Sequence, residues 1–292
     1  MCDIGYAEYS VPFLDDTTLG MYLCNKYTLM AHAKAWRLYD QEYRPRYFGK
    51  LSLANLFFWF DALTPEDEEA ASLAIDFWDG RYSHPIYSKE GGWPAKIEKI
   101  LAENSKKEGY PTPRLIPFTP EEIDLVRGTF DYYALNHYTT KKARKVNPGE
   151  ETGAWPLFGA PELGVAFSSP PGSEPTAAYW MTVYPEGLRR QLAYLNKTYG
   201  PIDILITENG YPSLDLSIDD PRRVDYIKTH LEMVLSAIND GVNVLGYTVW
   251  SLMDNFEWLD GFSFGLYAVD FADPMRKRTP RSSAKFYSAV AQ

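Results

Sequence analysis

A carboxylate stands at a costly place in this sequence. Pro201-Ile202-Asp203-Ile204-Leu205-Ile206 is a short apolar, β-branched run of the kind that forms a strand buried on both faces. It stops at Thr207-Glu208-Asn209-Gly210. A carboxylate makes poor core material, yet the carboxyl ends of parallel strands are where α/β proteins keep their sites. The plainer reading is that Glu208 caps the following helix or pairs with a lysine. Two further polar clusters at strand ends weigh against it: Asn136-His137-Tyr138-Thr139, and Trp250 followed by Glu257 and Trp258. Brought into one pocket, these supply a nucleophilic carboxylate, a phenol able to hydrogen-bond it, an amide, two indoles and a second carboxylate. Indole faces stack on the C–H faces of pyranose rings, and carboxylates order sugar hydroxyls by charge-assisted hydrogen bonds. The set describes a sugar pocket with a nucleophile in it.

Elements of two kinds must hold these residues. Strands are expected over 50–60, 129–136, 201–207 and 243–250, each ending in a polar or aromatic cluster (Trp59 and Asp61, Asn136 and Tyr138, Glu208 and Asn209, Trp250 with Glu257). Between them the periodicity predicts helices over 20–39, 64–78, 95–106, 184–199 and 220–240, with a closing helix over 282–290. Thr64-Pro65 and Thr119-Pro120 are helix starts, the second with Glu122 placed for a capping box. Residues 83–94 are expected as loop, 141–177 as a long Gly- and Pro-rich functional loop, and 264–270 as hairpin-like. Strands alternating with helices imply an α/β fold with a parallel sheet and right-handed crossovers. Functional clusters at every strand end point to a (β/α)8 barrel, of which four strands are legible here against the eight that closure needs.

Composition excludes several classes. A net charge of -10 without a basic block argues against a nucleic-acid partner and gives no membrane-surface signal. No run approaches a transmembrane span. The four histidines are scattered without metal-ligand spacing, so no metal and no cofactor are expected. Cys2 and Cys24 are the only cysteines, and no disulfide framework is expected from them. Met1-Cys2-Asp3-Ile4-Gly5-Tyr6 lacks the apolar region of a signal peptide and reads as a loop entered midway, which leaves localisation open. Asn196-Lys197-Thr198 is a glycosylation sequon.

With these residues in view, the sequence resembles the C-terminal half to three-fifths of glycoside hydrolase family 1, the β-glucosidase family. Ile206-Thr207-Glu208-Asn209-Gly210 matches the family's nucleophile motif, and Val249-Trp250-Ser251-Leu252-Met253-Asp254-Asn255-Phe256-Glu257-Trp258 its glycone-binding motif. Leu135-Asn136-His137-Tyr138-Thr139 and Phe264-Gly265-Leu266-Tyr267 fit two more segments, and helical stretches such as Leu29-Met30-Ala31-His32-Ala33 extend the likeness along the chain. The resemblance implies a single, incomplete barrel domain over 1–292, roughly strands 5–8 with their helices. It also implies a retaining mechanism: Glu208 as nucleophile through a covalent glycosyl-enzyme, Tyr138 orienting it, and Asn136, Trp250, Glu257 and Trp258 binding the sugar. The luminal or secreted space would fit such a family as well as any.

The pattern also breaks. The family's acid/base carboxyl belongs to an Asn-Glu-Pro segment, and no Asn-Glu-Pro occurs in these 292 residues. Gly261-Phe262-Ser263-Phe264-Gly265 is two residues shorter than the family's spacing and lacks its basic residue. Loss of general acid/base assistance typically costs about 10²–10⁴-fold. The expectation is therefore a truncated, inactive form of a β-glycosidase acting on a small glycoside. Two alternatives stay open: a non-catalytic carbohydrate-binding remnant, or a half-barrel completed by a second copy or by a separate N-terminal half.

Overall fold

The computed structural model describes residues 2–3, 17–215, 217–257 and 263–291. Chain contacts divide it into two compact units. One comprises 1–53, 60–132 and 141–168; the other comprises 54–59, 133–140 and 169–292.

The second unit carries the strands that the sequence marks for function. Its sheet has four strands, β1 (Ala54–Leu56), β2 (Tyr133–Asn136), β3 (Ile204–Asn209) and β4 (Val244–Val249), in that spatial order. All three pairings are parallel. Parallel neighbours need crossovers, and two are helices: α1 (Glu186–Tyr199) between β2 and β3, and α2 (Pro221–Asn239) between β3 and β4. Each helix turns an apolar stripe inward, with Leu188, Leu192 and Leu195 on α1 and Tyr226, Ile227, Val234 and Ala237 on α2. Gly241, at φ 93°, lets the chain leave α2 in a left-handed turn. A closing helix, α3 (Ser282–Val290), follows the antiparallel pair Tyr267–Val269 and Arg278–Pro280. Ala284 of α3 joins a core cluster with Tyr138, Met181, Tyr226, Ile227, Val249 and Phe264.

Strand β3 departs from the expected two-sided burial. Ile204 and Ile206 are wholly buried, whereas Leu205 and Thr207 remain half-buried, so the run alternates. The outermost strand β4 goes further: Leu245 is 47% exposed. This is the behaviour of a strand with one open face.

The first unit contains the Thr17–Leu38 helix, which continues into a wider turn over Tyr39–Tyr43, and helices Glu68–Ile75, Arg81–Tyr87, Ala95–Lys107 and Pro120–Val126. The Thr119–Glu122 capping box forms as expected. Three expectations need correction. Residues 83–94, read as loop because of their Pro and Gly, begin inside the Arg81–Tyr87 helix, which carries Pro85 within it and follows directly on the helical turn Asp76–Gly80. The long segment 141–177 is not structureless: Thr140–Lys145, Gly159–Ala160 and Val165–Ser168 pair antiparallel. The strand expected over 50–60 is two strands, β1 and a Trp59–Ala62 strand that includes Asp61.

Cys2 and Cys24 correct the cysteine reading as well. They form a disulfide, with their Cα atoms 5.7 Å apart, inside the range that a bridge requires. Beside it, Asp3 takes hydrogen bonds from the buried Arg81 and from Tyr82. Among the described residues no helix is long and apolar enough to cross a membrane, and no group of His, Cys, Asp and Glu gathers as a metal site.

Candidate active site

Register brings the predicted residues together. Leu56 of β1 lies opposite Asn136 of β2, Asn136 opposite Glu208 of β3, and Asn209 opposite Val249 of β4. The carboxyl ends of four strands thus finish on one line. A bulge between Leu135 and Asn136 and another between Tyr247 and Val249 adjust the last residues before the loops. Glycine at position 210 has a mechanical reason. A Cβ there would collide with the carbonyl oxygen of Trp250, so only Gly210 lets the β3 and β4 ends approach this closely.

The Tyr138 hydroxyl donates to Oε2 of Glu208 at 2.8 Å. Tyr138 is 5% exposed and boxed by two aromatic edges, the Trp180 ring at 5.9 Å and the Phe264 ring at 5.7 Å, each at 75° to it. Burial and the neighbouring Glu208 carboxylate hold its phenol well above the usual range, so it remains a donor at every working pH. Asn136 is buried and accepts from the Thr207 hydroxyl at its side-chain oxygen, which leaves its amide N–H groups to serve the Glu208 carboxylate.

Three influences set the ionisation of Glu208. Burial raises its pKa and is the largest; hydrogen bonds from Tyr138 and Asn136 lower it; the Glu257 carboxylate raises it again. The outcome is a carboxyl above the ordinary glutamate range. The hydrogen bonds therefore offset desolvation only in part. Glu208 takes up a proton earlier than a free glutamate on acidification.

The second wall is the segment after β4. The Trp250 indole N–H donates to Oε2 of Glu257 at 3.2 Å, so the loop over 250–257 closes on itself and presents an indole beside a carboxylate. The Trp250–Ser251 peptide is cis. Asp254 fixes the loop from beneath: its two oxygens receive Nη1 and Nη2 of Arg281, each at 2.9 Å, together with the backbone N–H groups of Gly265 and Val269. Both side chains of this ion pair are at most 5% exposed. Trp258 lies outside the described residues, as do Gly261 and Phe262 of the shortened segment.

Five of the six residues singled out from the sequence are thus described, and all five belong to one unit. Sequence reasoning missed Trp180, which lies between the expected loop 141–177 and the helix expected over 184–199. Only its aromatic type in a Pro-rich surrounding could have drawn notice. It gave no role to Asn209 or Asp254, although both stand inside quoted motifs.

The glycosyl hydrolase family 1 model matches residues 4–292. Myrosinase 1 of Brevicoryne brassicae is 40% identical over 285 residues, 96% of this chain and 60% of that protein. Cytosolic beta-glucosidase of Cavia porcellus is 37% identical over 299 residues, 99% of this chain and 62% of that protein. Among solved structures, an aphid myrosinase superposes with a TM-score of 0.89 at 38% identity over 99% of this chain and 62% of its own. A family 1 β-glucosidase of the fungus Humicola insolens, solved with glucose, gives 0.84 at 30% identity over 99% of this chain and 63% of its own. The chain spans about 60% of the length of these relatives. Its α/β fold matches theirs, and the chain belongs to glycosyl hydrolase family 1.

Proposed function

We propose that this chain carries the nucleophile half of a retaining β-glycosidase acting on β-glucosides or related β-glycosides. The observation that carries the reading is the Tyr138 hydroxyl donating at 2.8 Å to Glu208 where the parallel strands end. In this reading one Glu208 oxygen attacks the anomeric carbon. A carboxylate–sugar bond forms while the glycosidic C–O bond breaks with its electron pair on the leaving oxygen. Tyr138 holds the other oxygen and aims the first. Trp250 stacks under the sugar and Glu257 takes its hydroxyls, with Trp258 and Asn136 completing that subsite. No metal or cofactor enters the step. The names of the relatives, cytosolic beta-glucosidase and myrosinase among them, agree with a glycoside as substrate. Residues 1–292 read as a single incomplete barrel domain, with β1 to β4 standing as strands 5–8 of the eight-stranded family barrel.

The leaving oxygen needs a proton, and the family's donor segment, Asn-Glu-Pro, is absent from the 292 residues. The chain alone therefore releases only aglycones that depart as stable anions. Purified chain is expected to release dinitrophenolate from a dinitrophenyl β-glucoside while alkyl β-glucosides stay intact, about 10²–10⁴-fold or more below a complete enzyme. Equal turnover of both would overturn the missing-acid reading. Binding of glucosides without any bond cleavage would instead favour a carbohydrate-binding remnant.

A further inference from the structure

We infer that Asn209 is the positioning residue that sets the Tyr138–Glu208 geometry, an inference that rests on the reading of Glu208 as nucleophile. Asn209 is wholly buried; both N–H groups of its amide donate and its oxygen accepts. Its Nδ2 donates to the His137 carbonyl at 2.7 Å and to the Tyr226 hydroxyl at 2.9 Å; its Oδ1 accepts from the Tyr247 hydroxyl. A carbonyl can only accept, so the contact with His137 fixes which way the amide points. The four elements joined at this point are β2 through the residue after its end, β3 itself, α2 through Tyr226, and β4 through Tyr247.

Chain position gives this clamp its purpose. The residues it ties, 137 and 209, each precede or follow one member of the reacting pair, 138 and 208. Backbone bonds support the same junction: His137 N–H donates to the Glu208 carbonyl at 3.0 Å, and Trp250 N–H to the Asn209 carbonyl at 2.9 Å. The side chain of Asn209 adds a second tie between the β2 and β3 ends, at the His137 carbonyl, and extends it to α2 through Tyr226 and to β4 through Tyr247. The Tyr226 hydroxyl also reaches the Tyr138 carbonyl at 3.4 Å, which loads the clamp onto the phenol's own residue. Tyr226 is held in turn by its ring stacked on His230 at 3.8 Å.

A bare core role and a positioning role differ in one readout. If Asn209 holds the phenol on Glu208, releasing it removes a hydrogen bond that favours the carboxylate, and the Glu208 carboxyl must titrate higher. The titratable groups facing Glu208 are the Glu257 carboxylate and the neutral phenol of Tyr138, and neither is altered by the variants used. The test is a ¹³C NMR titration of the chain labelled at glutamate Cδ, with the Glu208 signal assigned by its loss in Glu208→Gln. Asn209→Ala is expected to raise the midpoint above the parent's, and Tyr226→Phe, which keeps the ring, to raise it by less. A loss of core packing elsewhere on the same unit, Leu192→Ala, is expected to lower Tm and leave the midpoint in place. An unchanged midpoint in Asn209→Ala overturns the inference, as does an equal rise in Leu192→Ala; if Asn209→Ala does not fold, Tyr226→Phe decides by the same criterion. The rate of covalent labelling of Glu208 by an activated fluoroglucoside should fall roughly a hundred-fold in Asn209→Ala, the scale of a misplacement near 1 Å. Failure of the parent chain to be labelled at all would strike the nucleophile reading, while the titration would still decide the positioning role.

Discussion

Glu208 is held in tension between desolvation, which favours its acid, and two hydrogen bonds, which favour its carboxylate. Tyr138 is the stronger of the two bonds, so Tyr138→Phe should shift the acid limb of Glu208 labelling to higher pH. A hydrogen bond to a charged group is worth about 1.5–3 kcal/mol. The labelling rate at neutral pH should therefore drop roughly ten- to hundred-fold. A pH–rate profile checks both; an acid limb that stays in place would remove Tyr138 from the account. The raised pKa has a stability consequence of definite sign. Between the unfolded and folded pKa values the native state binds more protons at Glu208 than the unfolded state does. Its contribution to stability therefore falls as pH rises through that window. Carrying Glu208 ionised is a cost borne for function.

At the scale of elements, the loop from Trp250 to Glu257 owes its shape to Asp254 and Arg281 rather than to the two residues that would meet a sugar. Breaking a buried ion pair on one side leaves a lone charge in the interior, which costs about 3–5 kcal/mol. Asp254→Leu and Arg281→Met should each lose stability on that scale, and the double variant clearly less than their sum. Chemical denaturation measures it, and additive losses would contradict the coupling. The sequence announces some of these elements and hides others. The Thr119–Glu122 capping box, the α1 and α2 stripes and the α3 helix were legible because caps and 3.6-residue periodicity are local properties. The antiparallel pairing of Thr140–Lys145 with Val165–Ser168 was not, since two- to six-residue strands take their partners from distant chain. The disulfide between Cys2 and Cys24 depends on a Cα separation that no spacing encodes. Glu208 and Tyr138 were legible as types at strand ends; their 2.8 Å contact became visible only through the β2–β3 register.

For the molecule as a whole, two histidines link the site's scaffold to acid stability. Burial lowers the pKa of His137 to about 4 and that of His230 to about 3, so both stay neutral in the fold. Unfolded, each takes a proton near the ordinary histidine value. As pH falls from there toward the folded pKa values, the unfolded state binds more protons and stability is lost, at about 1.4 kcal/mol per pH unit for each histidine. A series of Tm values from neutral pH down to about 4.5 should slope downward, and His230→Gln should flatten it by one histidine's share. An identical slope would show that His230 is not the group at work. The same buried patch, in which Asn209, Tyr226 and His137 meet, thus supports both the fold's acid limit and the geometry at Glu208.

The nucleophile itself is the most direct thing to measure. The chain is incubated with dinitrophenyl 2-deoxy-2-fluoro-β-glucoside, whose leaving group needs no acid, then digested and analysed by mass spectrometry. The account predicts one fluoroglucosyl adduct per chain, on the peptide containing Ile206-Thr207-Glu208-Asn209-Gly210, and none in Glu208→Gln. An adduct on another carboxylate, or one that persists in Glu208→Gln, would contradict it.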